Sequence, residues 1–201
     1  MDKRIFRVFL IVFSVSLMTL TPALSKAAST FTPVVGVWKM DSSSGEETLK
    51  VDGSQHTFSY EDNYPLASYS GVKDFSEGEI SVRFNPLSGN SDQSGGIVFK
   101  RKENGDYLFI RANALESNFN LYSYTSGHRV QITGVDDAPA RSGLWHEIKI
   151  IVKGPSLKGY LDGALLLEYT LAQPVSGGLG IWSRGDSVTL FKEFKVANNK
   201  P

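Results

Sequence analysis

Apolar residues recur at every second position along most of this chain, in short runs closed by Gly, Asn, Asp or Ser. Beyond residue 27 no stretch of 12 or more residues repeats with a helical period. Glu79–Pro86 is a clear case, with Ile80, Val82 and Phe84 on one face and Ser81, Arg83 and Asn85 on the other. The alternation predicts strands at Val34–Met40, Glu47–Val51, Gln55–Tyr60, Glu79–Pro86, Gly95–Lys102, Asp106–Asn113, Asn118–Tyr124 and His128–Thr133. It continues at Leu144–Lys153, Lys158–Leu161, Ala164–Tyr169, Gly177–Ser183 and Ser187–Val196. Hairpin turns are expected at Asn104-Gly105, Ser126-Gly127 and Asp162-Gly163, whose residues tolerate positive φ. Arg184-Gly185-Asp186 spells an adhesion tripeptide but reads as another turn, and Ala197–Pro201 as a frayed tail. So many half-apolar strands must bury one face against a second sheet. The expectation is an all-β, two-sheet antiparallel jelly-roll sandwich.

The first residues have a different pattern. A basic start (Lys3, Arg4, Arg7) precedes a largely apolar run from Ile5 to Leu20, and Ser25-Lys26-Ala27 fits a small-x-small cleavage site. Residues 1–27 are expected to be a cleaved signal peptide, leaving 28–201 as one sandwich domain, secreted or periplasmic, with no membrane span. No Cys stands at the cleavage point, which speaks against a lipid anchor, and the whole chain has none, which removes disulfides and thiolate chemistry. The 21 basic and 21 acidic side chains lose four and one respectively with the peptide, leaving 17 against 20, a net of −3. A mildly acidic domain lacks the positive field that nucleic acid requires.

One predicted strand departs from plain core chemistry. In Tyr107–Asn113, Leu108, Ile110 and Ala112 suit a core face, while Tyr107, Phe109, Arg111 and Asn113 fall on the other. Asn118, Asn120, Tyr122 and Tyr124 alternate onto a single face of the next strand. Recognition of a sugar needs planar donors and acceptors for adjacent hydroxyls and a ring against its apolar face. Arg111 offers a rigid fork of donors, Asn113 and Asn118 offer donor and acceptor together, and Glu116 accepts. Tyr107, Tyr122 and Trp182 are the candidate stacking rings. Asp92 and Gln93 stand beside Gly95-Gly96, where missing side chains would let a ligand approach the backbone. The competing reading is structural: Arg111 and Glu116 pair, and Asn113 and Asn118 cap the turn between the strands.

The segments DQSGGIVFKRKENGDYLFIRANALESNFNLY, GLWHEIKIIVKG, GYLDGALLLEYT and GGLGIWSRGDSVTLFKEFKV occur in that order. Together they resemble the concanavalin A-like lectin/glucanase superfamily, and within it the bacterial laminin-G-like branch related to the 3-keto-disaccharide hydrolase-like domain. The resemblance runs from about Phe75 to Val196 and is most specific at RANALE-x-N. It implies a sandwich of two curved sheets, often with a glycan-binding concave face, and a core position for Trp145.

The catalytic string of the family's glucanases, Glu-x-Asp-x-x-Glu, is absent. Asp92 and Glu116 could pair only through the fold. His56, His128 and His146 lack the spacing of a zinc site, and His146 is expected to be structural. No cofactor is called for; the one candidate ion is a structural calcium at Asp186, which no dense run of oxygen ligands supports. The expected function is non-catalytic binding of a carbohydrate or glycoconjugate. A hydrolase of glycosides or 3-keto sugars, and an adhesion module without a sugar site, are the alternatives.

Overall fold

The structure, a computed structural model, describes residues 72–198 and, ahead of them, the backbone of four short strands at 29–30, 37–41, 58–61 and 66–69. The expected signal peptide and the expected strand Glu47–Val51 lie outside the described residues. The described part contains no helix and is an all-β, two-sheet sandwich.

The strands are β1 (Ser29–Thr30), β2 (Val37–Asp41), β3 (Phe58–Glu61), β4 (Leu66–Tyr69), β5 (Gly78–Ser88), β6 (Ser94–Arg101) and β7 (Tyr107–Asn113). They continue as β8 (Asn118–Thr125), β9 (His128–Asp136), β10 (His146–Lys153), β11 (Ser156–Leu161), β12 (Ala164–Thr170), β13 (Gly178–Trp182) and β14 (Val188–Asn198). One sheet runs β1-β14-β5-β10-β11-β12, with β2 also paired to β14; the second runs β3-β4-β13-β6-β7-β8-β9. Every pairing in both is antiparallel.

Alternation decides which side chains fill the gap between the sheets. Ile80, Val82 and Phe84 of β5 meet Ile97, Phe99, Ile110, Ala112, Phe119 and Leu121 of the second sheet in the main core. The Asp162-Gly163 hairpin forms as its residues require, with φ of 50° and 82°. At Asn104-Gly105 only the glycine takes a positive φ, 87°, and Lys102 N–H bonds Asp106 O at 2.8 Å across a longer turn. The sequence pattern missed β4, four residues without a strong apolar alternation. It also ended the last strand too early, since β14 takes in Ala197 and Asn198.

Trp145 is not in the core. It is half-buried on the first sheet's outer side, with Lys192 Nζ 4.1 Å from its ring centroid. The next residue, His146, is the one that packs inward, as expected of a structural histidine. Its Nδ1 lies 2.6 Å from Asp162 Oδ2 and its Nε2 3.0 Å from Arg141 O.

Candidate functional site

The second sheet has an outer face, and the expected side chains reach it. Cross-strand register sets Trp182, Gly96, Arg111 and Asn120 in one row across β13, β6, β7 and β8. Below it run Val98, Phe109 and Tyr122, then Tyr107 beside Tyr124. The rings stack on each other. Phe109 lies 4.4 Å from Trp182 and 5.0 Å from Tyr122, centroid to centroid, and Tyr107 lies 4.8 Å from Tyr124. Val98, Tyr107, Phe109, Tyr122 and Trp182 form a second buried apolar cluster. This corrects the stacking expectation: Tyr107, Tyr122 and Trp182 are at most 5% exposed, so none offers an open ring to a sugar.

Arg111 is enclosed too. Its side chain is 3% exposed, and its guanidinium donates to Glu116 Oε2 at 2.7 Å, Asn118 Oδ1 at 3.3 Å and Tyr122 OH at 3.2 Å. The Arg111–Glu116 ion pair of the structural alternative therefore forms. Glu116 is not covered with it, since its side chain is 49% exposed. A second bond, from Asn118 Nδ2 at 3.0 Å, fixes the same carboxylate oxygen. The hydrogen bond and charge of Arg111 hold Glu116 below the ordinary glutamate range, against the opposing effect of burial. The result is an ionised, oriented, half-exposed acceptor with Asn118 beside it.

Asn113 sets the turn that presents Glu116. It is fully buried; its Oδ1 accepts from Leu115 N–H at 2.9 Å and Glu116 N–H at 3.3 Å. Its Nδ2 donates to Asp92 Oδ1 at 3.0 Å. Gln93 turns back on its own loop, donating to Gly89 O at 2.9 Å. Asn113 and Gln93 thus build the site rather than face a ligand. Gly95 and Gly96 leave no vacancy for one either. A Cβ on Gly95 would lie 2.6 Å from the Phe84 ring, and one on Gly96 2.5 Å from Ile110 O. Their missing side chains admit protein.

Asp92 is a buried carboxyl, 6% exposed. Burial pushes its affinity for protons up, and Glu116 adds to this while Arg111 and Arg184 pull the other way. The folded chain thus binds this proton more tightly than the unfolded chain. Stability declines as pH rises from about 3.8 through the raised value, and the penalty persists above it. Asp92→Asn keeps an acceptor for Asn113 and removes the charge. It is expected to be at least as stable as the parent at pH 7 and to lose this decline, as read by Tm against pH.

The loop that carries Asp92 is held from the far end of the chain. Asp186 accepts from Asn90 N–H at 2.6 Å, Ser91 N–H at 3.0 Å, Ser91 Oγ at 2.8 Å and Asp92 N–H at 3.0 Å. These donors keep its carboxyl far below the ordinary aspartate range. Both oxygens face N–H groups, the wrong polarity beside a cation, so a structural calcium at Asp186 does not fit. Nor is the carboxylate of Arg184-Gly185-Asp186 free for an adhesion receptor.

Two residues at this site were missed. Arg129, half-buried on β9, lies over Tyr122 with its guanidinium carbon 5.1 Å from the ring centroid, on a ring that Arg111 also approaches, at 5.4 Å. Arg184, half-buried after β13, exerts its charge on Asp92 and Arg129. The signal for Arg129 was available. A two-residue Ser126-Gly127 turn sets Tyr124 opposite Arg129, on the aromatic face. A cavity of about 360 Å³ opens at the other end of β7, between Lys100, Tyr107, Leu108 and Tyr169, away from Arg111.

Carbohydrate-binding module CBM66 from Bacillus subtilis superposes on this sandwich with a TM-score of 0.61, at 14% identity, over 82% of this chain and 97% of its own. The fold is shared. A Bacillus licheniformis β-glucanase gives a TM-score of 0.49 at 13% identity, over 67% of this chain and 71% of its own. Caenorhabditis elegans galectin LEC-6 gives 0.47 at 16% identity, over 72% and 98%. No family model and no curated protein matches the chain. The likeness to the CBM66 structure is a likeness of fold, at an identity too low to transfer its ligand.

Proposed function

We propose that this chain is an exported, non-catalytic carbohydrate-binding sandwich, with its sugar site at the open end of the second sheet's outer face. The observation that carries the reading is Glu116. Its carboxylate is fixed by Arg111 and Asn118 yet half-exposed, so it meets a sugar hydroxyl without further ordering. Asn118, also partly exposed, supplies a neighbouring amide. Support comes from a fold shared with a protein named as a carbohydrate-binding module. The residues Arg111 to Asn118 (RANALESN) favour the bacterial laminin-G-like branch. A glycan array tests the reading. Asn118→Ala is expected to weaken binding about tenfold, the loss of one or two hydrogen bonds, with the fold retained by circular dichroism. An array without a single hit sinks it.

A second reading rests on Asp92 and Glu116. The charge of Glu116 acts on Asp92, and the two are driven apart, Asp92 pushed up by burial and Glu116 held down by Arg111. Paired carboxyls with affinities driven apart are the equipment of a glycosidase, an acid and an ionised partner. Arg111 blunts Glu116 as a nucleophile, which favours binding over cleavage. Release of reducing ends from a bound glycan, abolished by Asp92→Asn, would decide for the hydrolase.

A further inference from the structure

The two sheets part at one corner, where their end strands β9 and β12 face each other. Register sets Phe99, Leu108, Ser123 and Val130 in one row across the inner face of the second sheet. Phe99 is fully buried, Leu108 only partly, and Val130 is 58% exposed, so the first sheet ceases to cover this row. The opening is the cavity of about 360 Å³, whose apolar wall includes Leu108, Ile132, Tyr169 and Leu171. Lys100 and Lys102 line the same cavity. Strict alternation would set Lys100 on the outer face with Val98. Instead β6 carries one extra residue against β13, between Val98, opposite Gly180, and Arg101, opposite Gly178. Lys100 takes φ 54° there, in the left-handed region that a lysine rarely adopts, and its Nζ donates to Gln173 O, beyond β12, at 3.2 Å. That carbonyl is a neutral acceptor and uses one of three donors. Neither lysine has an ion-pair partner among the described residues. Asp106, an acid that also lines the cavity, accepts instead from Asn104 Nδ2 at 3.0 Å and Ser126 N–H at 2.9 Å. Burial, and next the charge of Lys102, hold the proton affinity of Lys100 below the ordinary lysine value. An apolar wall beside two cations without a carboxylate matches a molecule with an apolar body and one negative end.

We propose that this cavity binds a small amphipathic carboxylic acid, its apolar body against Leu108, Ile132 and Tyr169 and its carboxylate at Lys100 and Lys102. The site lies apart from Glu116 and does not depend on the sugar-binding reading. Its volume stands at the lower end of small-molecule sites, roughly 300–1,000 Å³, and suits one aromatic ring or a medium acyl chain. Lysine fits the task, since its ammonium is a point charge on a flexible stem whose methylenes extend the apolar wall.

The test is a calorimetric titration of the full chain with octanoate and phenylacetate, beside octanamide, which lacks the charge, and acetate, which lacks the body. At least one of the two acids is expected to bind about tenfold more tightly than octanamide and acetate, and to weaken with added salt. Lys100→Gln and Lys102→Gln are each expected to weaken that acid about tenfold, the loss of one charge-assisted hydrogen bond, and to leave octanamide unaffected. Ile132→Glu, at a half-buried position on an end strand, sets a like charge on the apolar wall and is expected to abolish acid binding. Lys102 is exposed, so Lys102→Gln carries the test should Lys100→Gln lose its tie to Gln173 and fail to fold. Glycan binding by Lys102→Gln is expected to equal that of the parent. Binding of neither acid overturns the proposal, and so does octanamide binding equal to that of octanoate. Acid binding untouched by Lys102→Gln and Ile132→Glu places the acid elsewhere and overturns it as well.

Discussion

Trp182→Ala lowers the stability of the folded chain by about 3–5 kcal/mol, the cost of emptying a large buried aromatic site. The measurement is a urea titration in which the midpoint falls while the slope stays constant. The indole is fully buried and stacks 4.4 Å from Phe109, which itself stacks 5.0 Å from Tyr122. Its row neighbour is Gly96, which has no side chain to move into the space. Trp182→Phe should recover most of the loss, because the indole Nε1 has no acceptor and a phenyl ring forfeits no hydrogen bond there. A sugar platform behaves in the opposite way. An exposed tryptophan is removed at little cost to the fold and great cost to binding. A variant with an unchanged midpoint and no glycan binding would return Trp182 to the ligand surface.

Glu116→Ala costs about 2–3 kcal/mol, less than the loss of a fully enclosed ion pair because the carboxylate is half in water. What makes it expensive is the partner left behind. Arg111 is enclosed, and without Glu116 its charge keeps only the Asn118 carbonyl and the Tyr122 hydroxyl. Asn118 loses its acceptor at the same time. The pH dependence identifies the mechanism. Because Arg111 holds the folded carboxyl below its ordinary value of 4.5, its contribution is present above that pH and is lost as pH falls through the depressed value. Glu116→Gln should lack that acid-side loss. Parallel acid limbs in parent and variant would show that the pair contributes nothing to folding.

The strands of the described region were legible because alternation is a local property. Leu108, Ile110 and Ala112 could face the core only if Tyr107, Phe109, Arg111 and Asn113 faced away. Whether the outward face is open or covered is a tertiary property, and period-two patterns are silent on it. That is why three stacking rings and the Arg111 fork were expected to meet ligand and are enclosed instead. The core position that the family resemblance implied for Trp145 failed by one position, since His146 took the inward place. Arg129 was legible from the Ser126-Gly127 turn and the register it imposes. Arg184 was not, because its nearness to Asp92 arises where β5 and β14, chain-distant neighbours, hand over to the second sheet.

The carboxylate of Asp186 reaches 94 to 96 residues back along the chain to grip Asn90, Ser91 and Asp92. Loop closure over that span is slow and must await the last two strands. During synthesis the β6-to-β9 meander can therefore assemble while the end that presents Glu116 still lacks its anchor. The loop at Asp92 is therefore locked late in the folding of this chain, and a truncation before Arg184 should yield strands without the proposed site.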